Sequence, residues 1–280
     1  MFSGNPAADY PYAFVVGRVF HERVADIAPL MKSLVTDTAH TNLDLQSLVC
    51  RLANESPTAR TYGVDYTDVR QGALGDCGMI AGMGEVALRK PWDIASDITQ
   101  NPDGTLTVAL RQYGADPVLV TMTPDLPFWA GGDETLRYAQ VGASVHDTSA
   151  ILWPAYLEKA VAQYVGSYRG SYGTLSGVEG MFAWEEMGWL TGQFMLGHTR
   201  GTDQHDTFVS TWNAGECVCL QTPVNEPNPN IIPNHDYIEV SYDAATDSVT
   251  LMNPWGIDAG LTVETWPQVQ IDFQTFDRTT

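Results

Sequence analysis

The sequence has 280 residues, and 34 acidic residues against 14 lysines and arginines give a formal net charge of −20. This acidity argues against a nucleic acid or an anionic membrane surface as the main partner. It is compatible with a cationic substrate or bound divalent ions, although a solvated acidic surface accounts for most of the carboxylates. The hydrophobic fraction of 44% supplies a core for one large domain or for two lobes that share an interface.

The sequence gives little sign of targeting. It contains no apolar run long enough to span a bilayer, and its N-terminus lacks the basic and apolar regions of a signal peptide. The four cysteines form no C-x-x-C pair, which argues against a zinc ribbon and favours a reducing compartment. Cys217 and Cys219 share one face of a predicted strand, and we expect both to be reduced core residues. We expect a soluble protein, cytoplasmic or delivered as an effector domain, and leave the compartment open.

The N-terminal part of the chain is predicted to be helical. Residues 18–36 and 41–54 carry apolar side chains at helical spacing, and a turn-rich stretch follows them. We interpret residues 1–58 as an N-terminal helical extension that could serve as a pro-segment or an anchor.

A glycine-rich helix is predicted to begin at Cys77, in the stretch "CGMIAGMGEVALRK". Each glycine weakens helix propensity by about 1 kcal/mol. The small residues Ala81, Gly82 and Gly84 would let neighbouring elements approach closely. Their presence therefore favours tight tertiary packing around this helix.

Downstream of this helix, alternating apolar patterns predict strands, and one amphipathic pattern predicts a further helix. The strands are predicted at 104–113, 116–124, 206–223, 235–243 and 247–256, and the helix at 149–168. Helices dominate the first part and strands the last, so we expect an α+β fold. We divide it into a first lobe, 59–170, with the Cys77 helix, and a second, β-rich lobe, 171–280.

Cys77 has the position of an activated nucleophile. A cysteine reacts as its thiolate, and the N–H groups and dipole at a helix N-terminus lower the pKa of a thiol. Such a cysteine also needs a base, and a group that holds the base in the correct tautomer.

The C-terminal part supplies both groups on a predicted β-hairpin with its turn near residues 243–248. If Val240 lies opposite Val249, then His235 and Asn253 face each other to within one residue. An imidazole beside a carboxamide is the arrangement that orients a catalytic histidine. We therefore select Cys77, His235 and Asn253 as candidate catalytic residues.

An oxyanion hole is also available near the cysteine. Gln71 lies six residues before Cys77, and its side-chain amide could act together with the backbone N–H of Cys77. Trp255 follows Asn253 closely and could shield the His235–Asn253 hydrogen bond from water.

Taken together, these motifs resemble those of the calpain-type, papain-like cysteine proteases. "QGALGDCGMIAG" resembles the family's nucleophile motif Q-G-x-L-G-D-C-W, and "NHDYIEV" and "LMNPWG" resemble its histidine and Asn-Pro-Trp-Gly motifs. "TPDLPF", and "LWPAYLEKAVAQYVGSY" followed by "YGTLSG", resemble the segments between them. The resemblance covers about residues 60–256, in the same order as in the family.

The resemblance implies a papain-like, two-lobed protease fold and hydrolysis of peptide bonds in a protein or peptide substrate. It assigns Cys77 as the nucleophile, His235 as the base and Asn253 as the group that orients it. It assigns Gln71 as the oxyanion donor and Trp255 as the wedge between the lobes. It implies no cofactor for the reaction itself, and no nucleic acid or membrane partner is expected.

The sequence departs from the family after the cysteine. Gly78 stands where the family has an aromatic residue. We expect this change to remove a wall of the cleft and to relax the selection of substrates.

It departs again at the calcium sites that animal calpains carry. Asp68 matches one acidic ligand of the first site, but Ile151 replaces an expected glutamate, and few residues follow Gly256 to build the second site. A calcium ion takes about six to eight oxygen ligands, so we expect no calpain-like calcium control. The polar stretch 198–206 lacks the spacing of metal ligands, and we expect it to be a solvated loop.

Two alternatives to proteolysis stay open. A calpain-like pseudo-protease would bind peptides or a partner without turnover, and Gly78 could mark such a degenerate site. A transglutaminase-like enzyme would use the same three residues for acyl transfer to an amine.

Overall fold

The computed structural model describes residues 63–127, 136–140, 151–199, 204–225 and 228–280. The predicted extension 1–58, with its two predicted helices, lies outside these described residues. The helices are α1 (Cys77–Arg89), α2 (Pro91–Asp97), α3 (Trp153–Val165), α4 (Ala183–Thr191), α5 (His205–Asn213) and α6 (Trp266–Asp272). The strands are β1 (Ile98–Gln100), β2 (Leu106–Gln112), β3 (Ala115–Met122), β4 (Met195–Thr199), β5 (Val218–Gln221), β6 (Asp236–Asp243), β7 (Ser248–Met252), β8 (Leu261–Thr265) and β9 (Thr275–Thr279).

The strands form two antiparallel sheets. One sheet has the order β1-β2-β3, and the other has the order β4-β9-β5-β6-β7-β8. Helices on a mainly antiparallel sheet confirm the predicted α+β class. Within the described ranges, none of the helices combines the length and apolar character that crossing a bilayer requires.

Most predicted elements are present, but the prediction of strands across 206–223 is wrong in its first half. Residues 205–213 form α5, and the strand of this stretch is β5. Phe208 and Trp212 are four residues apart, so a helix places their rings on one face, where they stack. Phe208 also packs against Trp266, with 4.8 Å between ring centroids. This packing outweighs the strand preference of the intervening β-branched residues.

The hairpin of β6 and β7 has the predicted turn but not the predicted register. The turn lies between Asp243 and Ser248, and Tyr242, not Val240, stands opposite Val249. A bulge between Glu239 and Ser241 inserts Val240 as the extra residue and shifts the pairing. A regular alternation in the sequence cannot reveal such an insertion.

Helix α1 contacts its neighbours through glycines on nearly opposite faces. A Cβ on Gly82 would lie 2.8 Å from the carbonyl oxygen of Ala183 in α4. A Cβ on Gly84 would lie 2.3 Å from Cδ1 of Ile238 in β6. The predicted close approach around these small residues is therefore confirmed, and it brings α4 and β6 against the helix that begins at Cys77.

The central strands of the six-stranded sheet pack against a hydrophobic cluster on each face. Along β5 and its neighbours, alternate residues belong to two hydrophobic clusters. Cys219 and Ile238 join the cluster built around α1, α3 and α4, whereas Leu220 and Tyr237 join the one that includes Phe208 of α5 and residues of α6. Cys217 and Cys219 are free and buried, as predicted. The lobe boundary at residues 170/171 stays a prediction, and α4 packs in the first of these clusters.

Glu85 connects α1 to the six-stranded sheet by hydrogen bonds. Its carboxylate accepts the backbone N–H of Val218 at 3.3 Å and that of Glu239 at 2.9 Å, and it lies 3.6 Å from Nε of Arg89. Burial raises the pKa of Glu85 despite the nearby guanidinium, and it raises that of Glu239 further. Burial likewise raises the pKa of Asp277 in β9 to about 8. Acidic side chains are thus part of the core.

We expect the Gly82→Ala substitution to destabilise the protein. The added methyl group meets backbone and Cβ atoms of α4, and overpacking of this kind costs about 1–3 kcal/mol, more than the gain in helix propensity. Gly173→Ala is the matched control, because a Cβ there makes only an ordinary contact at 3.6 Å. Urea unfolding of both variants measures the free energies of unfolding; equal values for the two variants would contradict this packing.

We also expect the free energy of unfolding to decrease as the pH rises from 5 to 8.5. Asp277 has a folded-state pKa of about 8, against about 4 in an unfolded chain, so between these values the folded state binds the extra proton. Raising the pH through this window therefore favours unfolding. Asp277→Asn should reduce the pH dependence measured by denaturant unfolding, and an unchanged slope would show that Asp277 is ionised in the folded state.

Candidate active site

Cys77 is the first residue of α1. The loop 71–76 leads into the helix, and the amide of Ile80 donates to the carbonyl of Asp76 at 3.1 Å to begin the helical bonding. The backbone N–H of Cys77 belongs to the first turn, whose N–H groups have no acceptor within the helix. The thiol is partly exposed, whereas Gly78 behind it is buried.

His235 and Asn253 meet at the ends of the hairpin. His235 immediately precedes β6 and Asn253 immediately follows β7, and His235 Nε2 lies 2.9 Å from Asn253 Oδ1. The backbone N–H of Trp255 donates to the same Oδ1 at 2.9 Å, which identifies this atom as the acceptor oxygen. His235 Nε2 therefore carries a hydrogen, and the basic lone pair of the neutral ring lies on Nδ1.

The surroundings of His235 hold the ring in place and keep it neutral. Its backbone N–H donates to the hydroxyl of Thr222 at 2.9 Å, and its carbonyl accepts the backbone N–H of Thr222 at 2.8 Å. The ring centroids of Trp255 and Tyr237 lie 5.3 and 5.4 Å from that of His235. Burial lowers the pKa of His235, and the hydrogen bond that the ring donates to Asn253 acts in the opposite direction.

The thiol of Cys77 donates to Asp236, a residue that the sequence analysis missed. The distance from Cys77 Sγ to Asp236 Oδ2 is 3.7 Å, and the hydrogen bond of the thiol goes to this carboxylate, not to the adjacent His235. The available signal was an acidic residue directly after the candidate histidine, followed by the apolar Tyr237 and Ile238 at the start of the predicted strand.

The electrostatic surroundings oppose formation of the thiolate. Burial first, and then the negative charge of Asp236, raise the pKa of Cys77 to about 12, and Asp76 adds to the effect. Hydrogen bonds from the backbone of Asp236 and Gly78 lower it only in part. The net direction is opposite to the one expected from the helix N-terminus alone.

Gln71 lies in the loop before Cys77 with its amide already engaged. Its Nε2 donates to the carbonyl of Leu74 at 2.8 Å and to Oδ1 of Asp76 at 3.3 Å. Its backbone N–H donates to the carbonyl of Pro254 at 2.7 Å, which connects this loop to the segment after Asn253. Arg70 pairs with Asp258 across the same junction.

Asp76, the last residue of the loop 71–76, forms a buried carboxyl pair with Glu158. Glu158 of α3 accepts the backbone N–H of Ala139 at 3.0 Å on both oxygens and interacts with Asp76. Burial raises the pKa of Asp76 to about 6, and burial together with repulsion from Asp76 raises that of Glu158 further. The two carboxyl groups therefore titrate as a coupled pair, in which burial favours the protonated forms. This pair was also missed, because nothing in the sequence brings residues 76 and 158 together.

Gly78 does not open a gap in the structure. A Cβ at this position would lie 2.3 Å from the carbonyl oxygen of Met181 and 3.0 Å from the amide nitrogen of Ala183. Backbone atoms thus fill the space that a side chain would occupy, in contrast to the expected loss of a cleft wall. Gly78 allows the chain that leads into α4 to lie against the start of α1.

Asp68, the calcium candidate, is engaged within the protein. Its Oδ2 accepts the indole N–H of Trp153 at 3.0 Å and the backbone N–H of Asp65 at 2.8 Å. Across the described ranges, no group of three or more His, Cys, Asp or Glu side chains is arranged to hold a metal ion. The stretch 198–206 is not a single loop, because its first residues belong to β4 and His205 begins α5.

Comparisons with known proteins bear on the family of this chain. A model of the family described as "Calpain family cysteine protease" matches residues 49–266. The "Calpain-like protease palB/RIM13" of Debaryomyces hansenii is 20% identical over 254 residues, which are 88% of this chain and 30% of that protein. The chain therefore spans less than a third of the length of this relative. The family match covers most of the chain and confirms the predicted resemblance, so the chain belongs to the calpain family of cysteine proteases.

Proposed function

We propose that this chain is a cysteine endopeptidase that hydrolyses peptide bonds through Cys77, His235 and Asn253. The observation that carries the proposal is the 2.9 Å hydrogen bond between His235 Nε2 and Asn253 Oδ1. The residue that follows His235, Asp236, contacts Cys77 Sγ. Membership of the calpain family supports peptidase chemistry and protein or peptide substrates.

The tautomer of His235 supports its role as the base. Because Nε2 donates to Asn253, Nδ1 can take the proton from the Cys77 thiol. The thiolate then attacks the peptide carbonyl carbon, and the carbonyl oxygen becomes an oxyanion. His235 returns its proton to the leaving amine as the C–N bond breaks, and water hydrolyses the acyl-enzyme to release the acid and the free thiol.

We assign the oxyanion hole to the backbone N–H of Cys77 and the side-chain amide of Gln71. In this assignment, the Gln71 N–H that donates to Asp76 at 3.3 Å exchanges this acceptor for the substrate oxygen. The hydrogen bond to the carbonyl of Leu74 keeps the side chain in place. Trp255 is half-exposed and lies against His235, which suits it to shield the His235–Asn253 bond.

We propose that catalysis does not need a calpain-like calcium switch. The Asp68 oxygen that matches a calcium ligand already accepts two hydrogen bonds, and Ile151 offers no oxygen where a glutamate is expected. Among the described residues, these two positions therefore do not supply the oxygen ligands that a calcium ion takes.

A second candidate function is a pseudo-protease that binds peptides without cleaving them. The observation that favours it is the hydrogen bond from the Cys77 thiol to Asp236, because a thiol held in this way keeps its proton. Thiol reactivity distinguishes the two functions, since a working Cys–His pair is alkylated faster than a buried thiol.

We expect Cys77→Ala to reduce cleavage of an unfolded protein substrate by about 10³-fold or more, because the substitution removes the nucleophile. It should also abolish the mass adduct with an epoxysuccinyl inhibitor, whether calcium or a chelator is present. Cys219→Ala is the matched control, since this cysteine is buried in the sheet, and it should keep both signals. Cleavage that survives in Cys77→Ala would exclude the proposed nucleophile, and an adduct that needs calcium would exclude calcium-independent catalysis.

We expect Asn253→Ala to lower kcat by about 10- to 100-fold while the protein stays folded. The imidazole loses the oxygen that fixes its tautomer and orientation, and small misplacements of a catalytic group have effects of this size. Asn101→Ala, in the loop between β1 and β2, is the control for loss of an asparagine and should leave kcat unchanged. Steady-state kinetics on a fluorogenic peptide measures both, and equal kcat values in the two variants would remove Asn253 from the mechanism.

A further inference from the structure

We propose that Asp236 controls the charge of the nucleophile: ionised Asp236 holds Cys77 as a neutral thiol, and protonated Asp236 lets the thiol proton pass to His235. The inference rests on the proposed function of Cys77, and it adds a further side chain to the catalytic residues Cys77, His235 and Asn253. Asp236 contacts the reacting sulfur atom itself.

The geometry gives the thiol an observed proton acceptor, and the residue beside that acceptor in the chain is the proposed base. Cys77 Sγ lies 3.7 Å from Asp236 Oδ2, and the preceding residue of the chain is His235. Asp236 is only 2% exposed, so water does not screen its charge from the sulfur. Gly78 leaves room for this carboxylate, because a Cβ there would lie 3.1 Å from Asp236 Oδ2.

The Asp236 carboxylate is held in position by Gln221, its register partner on β5. Gln221 Oε1 accepts from Gln274 Nε2 at 3.2 Å and from the hydroxyl of Thr275 at 3.3 Å, so the amide is oriented with Nε2 toward Asp236. Gln221 Nε2 donates to Asp236 Oδ2 at 3.4 Å. The other carboxylate oxygen, Oδ1, is buried and has no hydrogen-bond partner among the described residues, which makes the ionised form costly.

The groups around Asp236 are mainly acidic. The titratable groups that interact with it are Cys77 from the start of α1, Cys219 from β5 and Asp277 from β9. Asp76, the residue before α1, acts on Cys77, and His235 is the neighbour of Asp236 in the chain. Burial raises the pKa of Asp236 to about 7, while the hydrogen bonds from Gln221 and Cys77 act in the opposite direction. The carboxyl therefore changes its charge near neutral pH.

The two protonation states have opposite effects on the sulfur. Above neutral pH, the carboxylate accepts the S–H hydrogen and repels a negative charge on Sγ. Below neutral pH, Asp236 takes a proton from solvent, and its O–H can donate to the thiolate. The thiol proton then moves to Nδ1 of His235, and an imidazolium–thiolate pair results.

The test compares Asp236→Asn with the wild-type chain. The rate of iodoacetamide alkylation at Cys77 is measured from pH 5.5 to 8.5 by peptide mapping. We expect the rate ratio of variant to wild type to be near one at pH 5.5, where both side chains are neutral. It should rise to about tenfold or more at pH 8.5, because each pKa unit changes the thiolate fraction about tenfold.

Two further variants keep the test independent of folding effects. Asp236→Ala is also neutral and should give the same rise with pH. Glu186→Gln replaces another buried acid, one that packs against α1 near Gly82 and makes no hydrogen bond to Cys77 among the described residues, and its ratio should stay near one.

If the ratio of the alkylation rates is the same at pH 5.5 and pH 8.5, whether it is near one or raised, control by the Asp236 charge is overturned. Alkylation does not require peptide cleavage, so the two proposals fail separately. A chain that cleaves peptides but shows a flat ratio retains the proposed function without this control. A chain that shows the pH-dependent ratio but cleaves no peptide retains the control and loses the endopeptidase function.

Discussion

The close packing of α1 against α4 and the sheet is the constraint on which the rest of the structure depends. Gly82 and Gly84 let backbone and side chains approach the helix from nearly opposite directions. Glu85, the next residue, accepts hydrogen bonds from two strands. Cys77 begins this helix, so the same contacts fix the position of its sulfur relative to the end of β6. The glycines reduce helix propensity, and this cost is offset by the burial they make possible.

The site combines an oriented imidazole with an environment rich in buried acids. Asn253 accepts hydrogen bonds from the His235 ring and from the backbone of Trp255, whereas Asp236 and Asp76 raise the pKa of Cys77. A low-dielectric interior strengthens both effects, because water does not screen them. In the proposed mechanism, the balance between the acceptor that takes the proton, His235, and the one that retains it, Asp236, sets how reactive the sulfur is.

Much of the fold and of the candidate site could be predicted from local patterns. The helix at Cys77, the hairpin turn and the proximity of His235 and Asn253 follow from periodicity and from the order of the motifs. The β-branched residues in 206–213 predict a strand. The stretch is nevertheless helical, because a helix packs Phe208 against Trp266. The register was displaced because a bulge at Val240 leaves no trace in the alternation.

The sequence by itself determined the family, the α+β class and the three candidate catalytic residues, because each depends on residue types in a fixed order. Only the tertiary structure decided which group meets the Cys77 thiol and that Gly78 accommodates backbone instead of opening the cleft. Both depend on atoms that lie far apart in the chain. The charge of a buried group depends likewise on all of its neighbours in space, and a helix N-terminus read from sequence is only one of them.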